Sequence, residues 1–222
     1  MSEVRTWAEY EELRTLRGVA HRFVLRQPGI DVDGERDEVI ARLKGRHDEH
    51  VRALGFEPGA LVLAEQVHGC GVAEVTEDTP AGALLPGVDG LISNLPGRVL
   101  GIYVADCCAV FLVDEQVGSL GLVHSGKKGS ELNIVGAAIA LMREKHGADP
   151  QRMQVRLSPC IRPPQYEVDF AAKIRADAER AGVRAGRIWD DGICTASDLD
   201  SFYSYRAEKG RTGRMLALLG RR

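Results

Sequence analysis

Short apolar segments separated by Gly, Asp and Asn crowd the middle of this sequence and constrain its fold more than any other feature. Four such segments, rich in β-branched residues, cover 87–93, 99–106, 110–114 and 119–125. Apolar runs of this length, bounded by turn-forming residues, are typical of buried β-strands. Residues 61–68 and 153–159 have the same character. The sequence therefore predicts a buried sheet built from short strands.

Helical patterns separate these strands less regularly than in a doubly wound fold. The segments predicted to be helical are 8–16, 35–54, 130–147 and about 170–181. Residues 187–195 and 202–206 read as short strands or loops near the end of the sequence. Because strands and helices do not alternate strictly, we expect an α/β fold with a mixed sheet.

Capping residues mark the ends of the last two predicted helices. Ser130 is expected to cap the helix at 130–147, and Gly147 to end it. Asp169 and Gly182 are expected to play the same two roles around the final helix.

The composition is that of an ordinary globular protein. The chain has 222 residues, of which 44% are hydrophobic and 27% charged. Lys+Arg 29 against Asp+Glu 32 gives a formal net charge of −3. That balance predicts no basic surface for nucleic acid or an anionic membrane. No linker or internal repeat divides the sequence, so residues 1–222 are predicted to form a single domain.

The sequence is expected to belong to a cytoplasmic protein. It contains no apolar window long enough for a transmembrane helix. The segment 1–18 carries charges every few residues and has no apolar core of the kind found in signal peptides. Five cysteines, an odd count without compact disulfide spacing, are typical of reduced thiols.

Three candidate ligands stand at the ends of predicted strands. His68 ends one strand, His124 ends another, and Cys107 follows Asp106 at the end of a third. Residues at strand ends can converge where loops begin over a rigid sheet. The remaining four histidines lie in or near predicted helices with charged neighbours and are expected to be solvated: His21, His47, His50 and His146.

These three residues support two different chemistries. Two imidazoles and a thiolate form a three-ligand zinc set, which leaves the fourth position open as in catalytic zinc sites. Alternatively, Cys107 is a nucleophile with His124 or His68 as its base. The sequence alone does not separate these interpretations, nor a purely structural role for all three. Cys108 is expected to point to the opposite face and to pack.

A basic segment, 126–130, precedes the predicted start of the 130–147 helix. Its lysines, Lys127 and Lys128, and its backbone N–H groups are candidates for anion binding, with an exposed basic loop as the alternative. The segment is not a phosphate-binding P-loop, because its glycines are three residues apart. No Rossmann fingerprint follows a strand into a helix either.

Read in order, several motifs form one long pattern. They are Gln66-Val67-His68-Gly69, Val88-Asp89-Gly90, Ala105-Asp106-Cys107, His124-Ser125-Gly126, Tyr166-Glu167-Val168, Cys194-Thr195, Phe202-Tyr203-Ser204-Tyr205-Arg206 and Gly213-Arg214. This pattern resembles the multicopper polyphenol oxidoreductase laccase family, also called YfiH/YlmD-like or peptidoglycan editing factors. The resemblance is strongest over residues 61–219.

The resemblance implies an α/β fold similar to the cysteine hydrolase domain of a bacterial toxin. It implies a zinc site at His68, Cys107 and His124, with these three and Asp106 as catalytic residues. It also implies substrate contacts from Arg26, Gln66 and Lys128, with Arg26 and Lys128 orienting phosphate. The implied activity is phosphorolysis of purine nucleosides, including methylthioadenosine, with adenosine deamination as a further reaction. Small-molecule partners and a monomeric or homodimeric state are expected.

The sequence departs from the family pattern and leaves other functions open. The family's H-A-G-W-R-G is H-S-G-K-K-G here, so Lys127 and Lys128 replace Trp and Arg. The alternatives are a Cys-His hydrolase of a cell-wall precursor amide, a copper-binding oxidoreductase, and a non-catalytic binding homologue. Copper is a possible occupant of the ligand set. Six histidines without an H-x-H pair do not support a multicopper oxidase centre.

Overall fold

The computed structural model describes residues 5–222, so Met1–Val4, part of the segment without signal-peptide character, lie outside the described residues. Within this range the strands form two six-stranded mixed sheets. The first sheet has the spatial order β1-β2-β12-β7-β3-β5. Its strands are β1 (Trp7–Ala8), β2 (Val19–Val24), β3 (Leu61–Ala64), β5 (Leu84–Leu85), β7 (Val99–Val104) and β12 (Met215–Arg221).

The second sheet contains the remaining strands, in the order β11-β10-β8-β9-β6-β4. These are β4 (Val72–Glu74), β6 (Gly90–Ser93), β8 (Cys108–Asp114), β9 (Ser119–Ser125), β10 (Gln154–Leu157) and β11 (Ile188–Trp189). The longest ladder joins β8 to β9 in antiparallel register and places His124 opposite Ala109. This pairing anchors one candidate ligand to the middle of the sheet.

The two sheets face each other across the main core. Strand β8 shows the division, because its alternate residues point to opposite faces. Ala109, Phe111 and Val113 belong to the central cluster between the sheets. Cys108, Val110 and Leu112 belong to the cluster on the outer face.

Helices pack around the two sheets. They are α1 (Glu11–Arg14), α2 (Arg36–Ala53), α3 (Lys127–Glu131), α4 (Ile134–His146) and α5 (Phe170–Arg180). Helices α4 and α5 pack on the second sheet. Helix α2 packs on the first through Val51 and Leu54. The layer order is therefore helix, sheet, sheet, helix, which confirms a mixed α/β fold.

Most predicted strands are present, although several are shorter than expected. The strand at 119–125 has the predicted bounds, whereas the one at 61–68 ends at Ala64. Residues 202–206 form a loop that ends in a turn, which is one of the two predicted alternatives. Strand β12, for which the sequence analysis makes no assignment, lies centrally between β2 and β7.

The helix predicted at 130–147 is two helices. Residues 127–131 form α3, and α4 begins only at Ile134. The prediction that Ser130 caps α4 is wrong, because Asn133 holds the capping position and its side chain accepts a hydrogen bond from the Gly136 N–H. The Asp169 cap of α5 is confirmed by its bond from Ala172.

The prediction that four histidines are solvated is also wrong. His21, His47 and His50 are buried, and the His146 side chain is only 1% exposed. Each ring has a hydrogen-bonding partner: His21 accepts from the Tyr10 N–H, while His47 contacts the Tyr103 hydroxyl and His50 the Arg22 guanidinium. His21 lies in β2, and the other three histidines lie on helices that pack against the sheets, so tertiary packing rather than local charge decides their burial.

Among the helices of residues 5–222, none combines the length and apolarity needed to cross a bilayer.

Candidate metal centre and cavity

The candidate site lies where the chain crosses from the first sheet to the second. His68 lies on the connection between β3 and β4, which is the first crossing. Cys107 lies on the connection between β7 and β8, which is the second crossing. His124 comes from β9, next to the second crossing. One ligand atom from each of the three residues lies within 4.8 Å of the others. The predicted convergence of His68, Cys107 and His124 is therefore observed in the structure.

Both crossings use backbone conformations that are rare for residues other than glycine. The φ angles of Gln66, His68 and Asp106 are 67°, 58° and 86°. Non-glycine residues in this left-handed region cost free energy, and they concentrate at functional sites. Here they turn the chain sharply enough for His68 and Cys107 to face each other.

A buried carboxylate, Asp89, holds two of the candidate ligands in place. Its oxygens accept hydrogen bonds from the backbone N–H groups of His68 at 2.9 Å and Gly69 at 2.7 Å. Its Oδ1 atom also lies 2.8 Å from Nδ1 of His124. Burial alone would raise the pKa of Asp89, but the hydrogen bonds from His124, Gly69 and His68 lower it below its usual value. Asp89 thus stays ionised and presents Nε2 of His124 to the site.

Cys107 and His124 form a coupled pair of opposite charges. Burial raises the pKa of the Cys107 thiol, but the His124 charge and hydrogen bonds from His124 and His68 outweigh it and lower that pKa to about 6. Burial lowers the pKa of His124, but the Cys107 charge and the hydrogen bond to Asp89 raise it to about 9. The stable form near neutrality is a thiolate beside an imidazolium.

Gly126 leaves space for the Cys107 sulfur. A Cβ atom built on Gly126 would lie 2.5 Å from Cys107 Sγ, closer than any real contact. The glycine therefore lets the turn before α3 pass directly over the thiolate. Cys108, the neighbouring cysteine, is buried on the helix side of the sheet, as predicted.

The donor set fits a zinc ion. Two imidazoles and one thiolate are borderline and soft ligands of the kind that zinc prefers, and three protein ligands leave one position open. The Asp89–His124 contact is the arrangement that commonly orients a metal-binding histidine through its second nitrogen. Copper also accepts such donors.

The three residues form part of the wall of a cavity of about 610 Å³. This is a usual size for a small-molecule site. Its cationic lining residues are Arg36, Lys127, Arg206 and Arg214, and its aromatic ones are Tyr103, Tyr166, Phe170 and Tyr205. The cavity thus combines a candidate metal centre, flat apolar surfaces and several positive charges.

Arg214 is a half-buried cation in this wall. One of its guanidinium nitrogens donates to the carbonyls of Thr212 and Gly213 at 2.9 and 2.8 Å. Burial lowers the pKa of Arg214, and the nearby charge of Arg36 lowers it further. Among the described residues, no carboxylate forms an ion pair with Arg214. This arrangement favours an anionic ligand beside the two arginines.

Gln66 and Asp106 line the cavity, and both have their polar atoms engaged. The Gln66 amide donates to the Tyr103 carbonyl at 2.6 Å and accepts from the Tyr103 N–H at 2.9 Å. The two Asp106 oxygens accept from the Thr195 hydroxyl and the Arg206 N–H, each at 2.7 Å. Gln66 ties the first crossing to β7, and Asp106 ties the second to the 194–206 segment.

The structure does not bring Arg26 and Lys128 to the cavity wall, so their predicted substrate contacts stay predictions. Arg26 forms an ion pair with Glu208 at 2.7 Å and lies over the Tyr203 ring. Lys128 is exposed on α3, because residues 127–131 are helical and turn this side chain away. Lys127, one residue earlier, lines the cavity instead.

Four residues at the site were not predicted as site residues: Asp89, Arg36, Arg206 and Arg214. Asp89, Arg206 and Arg214 lie inside motifs of the quoted pattern, so their place in that pattern was the available signal. Arg36 begins α2 and carries no such signal. Only the packing of α2 beside the first crossing brings it to the cavity.

Comparison with known proteins places this geometry in a family. The sequence is 29% identical over 230 residues to the purine nucleoside phosphorylase YlmD of Geobacillus stearothermophilus, covering 87% of this chain and 82% of that protein. It is 33% identical over 221 residues to a purine nucleoside phosphorylase of Deinococcus radiodurans, covering 86% and 82%. A prokaryotic protein named adenosine deaminase RL5 is 30% identical, covering 72% and 75%.

Solved structures and a family profile agree with these relatives. The fold matches the crystal structure of YlmD from Geobacillus stearothermophilus with a TM-score of 0.84 and 24% identity, covering 100% of this chain and 98% of that one. The YfiH protein of Bacillus licheniformis matches with a TM-score of 0.82 and 20% identity, covering 92% and 93%. The profile of the multi-copper polyphenol oxidoreductase laccase family matches residues 29–172 and 168–222. The chain therefore belongs to that family.

Proposed function

We propose that this chain is a zinc-dependent purine nucleoside phosphorylase acting on adenosine, inosine and methylthioadenosine. The observation that carries the proposal is the placement of His68, Cys107 and His124 on the wall of a cavity that also contains cations and aromatic rings. Relatives that cover most of this chain carry the name purine nucleoside phosphorylase. The predicted cytoplasmic location, single domain and oligomeric state stay predictions.

His68, Cys107 and His124 would hold the zinc ion, with Asp89 fixing the orientation of His124. When bound, zinc would supply a Lewis acid at the open coordination position. The Cys107–His124 pair suits this role, because the lowered pKa of the Cys107 thiol makes the thiolate ligand available at neutral pH.

Arg214 and Arg36 are the groups we assign to phosphate. Arginine presents a planar fork that matches phosphate oxygens. Arg214 is half-buried and has no carboxylate partner among the described residues, whereas Arg36 forms an exposed ion pair with Asp37 that an anion can replace. Arg214 lies close enough to Cys107 for their charges to interact. Phosphate held there would be positioned beside the candidate metal centre for attack on the anomeric carbon.

The aromatic residues are the groups we assign to the purine base. Tyr166 and Phe170 pack edge to face with their centroids 6.0 Å apart. Tyr103 lies on the opposite sheet and its hydroxyl contacts His47 at 3.3 Å. Flat apolar side chains of this kind bind a purine ring and exclude water from it.

We assign Asp106 a positioning role, because both of its oxygens already accept hydrogen bonds. Its bond from the Arg206 N–H holds the segment that places Arg206 and Tyr205 at the cavity. Gln66 acts similarly on the loop that carries His68. Neither side chain is assigned a proton transfer.

The test combines metal analysis with product analysis. Purified protein should contain zinc in stoichiometric amount and should release free purine from adenosine, inosine or methylthioadenosine only when phosphate is present. Cys107→Ser should lose both zinc and activity. Purine release by the Cys107→Ser protein at the wild-type rate, or purine release that does not depend on phosphate, would contradict a zinc-dependent phosphorylase.

A Cys-His hydrolase is the second candidate function, supported by one observation. The Cys107 thiolate beside the His124 imidazolium is also the arrangement of a cysteine nucleophile and its base. A hydrolase of this type would form an acyl-enzyme with an amide substrate and would be inhibited by zinc. Mass spectrometry of the metal-free protein after exposure to an amide or ester substrate would detect that acyl group.

A further inference from the structure

Arg214, which we assign to phosphate, is oriented by the two residues that precede it in the chain. One of its guanidinium nitrogens donates to the Thr212 carbonyl at 2.9 Å and to the Gly213 carbonyl at 2.8 Å. The direction of the guanidinium therefore depends on where these two peptide groups lie. Neither Thr212 nor Gly213 lines the cavity, so what holds them in place is a separate question from what binds the substrate.

Thr212 is anchored to a carboxylate of its own loop. It is buried, and its hydroxyl donates to Oε2 of Glu208. The same oxygen accepts the backbone N–H of Ser204 at 3.0 Å. One carboxylate oxygen thus joins the first and the last residue of the loop 204–212.

The Glu208 carboxylate is held as an anion. Its other oxygen, Oε1, forms an ion pair with Arg26 at 2.7 Å, and the Glu208 side chain is only 20% exposed. Burial raises the pKa of this carboxyl group, but hydrogen bonds from Thr212, Arg26 and Ser204 outweigh it and lower the pKa below its usual value. Hydrogen bonds to an ionised acceptor are stronger than those between neutral groups. Because the two oxygens have separate partners, the loop bonds of Oε2 do not require Arg26.

Gly213 is held by an aromatic ring. A Cβ atom built on Gly213 would lie 2.4 Å from Cζ of Tyr203, so only a glycine lets the chain lie directly against this ring. Tyr203 is fully buried in the core between the sheets, and its hydroxyl accepts the Gln27 N–H at 3.0 Å. The ring is therefore a fixed support for the peptide that precedes Arg214.

The loop 204–212 also carries Tyr205 and Arg206, which line the cavity. Arg206 has an anchor of its own, because its N–H donates to Asp106 at 2.7 Å. Loss of the Thr212 bond is therefore expected to act mainly on Arg214, which follows the end of the loop.

We propose that Thr212, through its hydrogen bond to Glu208, is a positioning residue that holds Arg214 in the orientation for phosphate binding. This rests on the proposed phosphorolytic function and extends it to residues outside the cavity. Without the bond, the guanidinium of Arg214 has to be ordered when phosphate binds, and that ordering weakens binding. The nucleoside should be little affected, because the aromatic pair assigned to the purine lies at the start of α5 and just before it.

Thr212→Val tests the proposal, because valine has nearly the shape of threonine and lacks the hydroxyl. We expect the KM for inorganic phosphate, measured with adenosine, to rise by about three- to tenfold, the factor of one typical hydrogen bond. The KM for adenosine and the zinc content should stay near their wild-type values. Thr212→Ser keeps the hydroxyl and should bring the phosphate KM back close to that of the wild type.

A double-mutant cycle separates positioning of Arg214 from a general effect on the fold. If Thr212 acts through Arg214, Thr212→Val should cause no further rise of the phosphate KM in an Arg214→Ala protein. Effects that multiply in the double variant would overturn the proposal, as would an unchanged phosphate KM in Thr212→Val or an equal rise in Thr212→Ser. If Thr212→Val does not fold, Glu208→Gln takes its place in the cycle, since it keeps the shape of the acceptor and removes its charge.

Failure of this inference is distinguishable from failure of the proposed function. Binding of inorganic phosphate to the zinc-loaded proteins, measured by calorimetry, needs no turnover. If no nucleoside is cleaved, the phosphorylase fails, but weaker phosphate binding by Thr212→Val and not by Thr212→Ser still supports the positioning role. Equal binding by the wild type and Thr212→Val, or no binding by the wild type, overturns it.

Discussion

Oδ1 of Asp89 lies 2.8 Å from Nδ1 of His124, and the same carboxylate accepts the backbone N–H groups that place His68. One buried side chain thus fixes two candidate ligands from opposite sides of the site. Partners of this kind orient a histidine and set its protonated nitrogen. Asp89 is therefore expected to matter for metal binding although it is not a ligand.

Asp89→Asn should weaken zinc binding by about 10- to 100-fold, the usual effect of losing an outer partner of a metal ligand. The amide keeps the shape of the carboxylate but loses its charge and presents an N–H₂ group where four N–H donors converge. Zinc affinity is measured by competition with a chromophoric chelator. Glu74→Gln is the control, because it alters the carboxylate beside His146, a histidine outside the site. Equal weakening by both substitutions would contradict a specific role for Asp89.

In the metal-free protein, the Cys107 thiol should become reactive at a pH well below that at which an ordinary cysteine thiol becomes reactive. The thiolate is the form that reacts, and the pKa of Cys107 is lowered to about 6. The iodoacetamide rate should therefore rise with pH through about 6 and level off above it. A Cys70→Ser background removes the exposed thiol of Cys70 from the measurement. His124→Gln should shift the rise to higher pH.

Zinc should protect the same thiol. Stoichiometric zinc should slow the alkylation of Cys107 at pH values above the rise, and a chelator should restore the rate. Rapid alkylation in the zinc-loaded protein would instead favour the cysteine nucleophile of the second candidate function.

Gly126→Ala should disrupt the site by sterics alone. Its Cβ atom would lie 2.5 Å from Cys107 Sγ, so either the turn or the sulfur must move. We expect a loss of stability of about 1–3 kcal/mol, typical of overpacking, together with weaker zinc binding. Gly59→Ala is the control, since no atom lies within 4 Å of the corresponding position. Denaturant unfolding and zinc titration of both proteins measure the effect, and matching curves would show that the turn adapts.

Arg214→Ala should raise the KM for phosphate by at least about tenfold, because it removes a charge-assisted contact to the anion. Zinc content should not change, since Arg214 is not a candidate ligand. Arg26→Ala tests the alternative assignment made from the sequence, and its ion pair with Glu208 predicts an effect on stability rather than on the phosphate KM. A larger rise of the KM in Arg26→Ala than in Arg214→Ala would restore the original assignment.

The candidate ligands were predictable because strand ends are readable from the sequence. His68, Cys107 and His124 each follow an apolar run, and the edge of a sheet brings such positions together. The position of Lys128 outside the cavity has a local reason. The sequence predicts one helix that begins at Ser130, whereas α3 covers Lys127–Glu131 and Lys127 is the lysine that lines the cavity.

Other features depend on contacts that no local pattern reports. Strand β12 comes from the end of the chain and becomes central only by pairing with β2 and β7. Arg36 reaches the cavity because α2 packs on the first sheet. The burial of His47 likewise follows from the face that α2 turns inward, although its neighbours in the sequence are charged.

Because the site lies at the two crossings between the sheets, its geometry depends on how the two sheets pack against each other. Any sliding of one sheet over the other would move His68 and Cys107, which sit on the connecting segments, relative to His124 in the second sheet. A bound ion would therefore link the two inter-sheet connections to β9 and oppose such sliding. Because the ligand set draws on both connections and on β9, metal affinity should report correct packing of one sheet on the other.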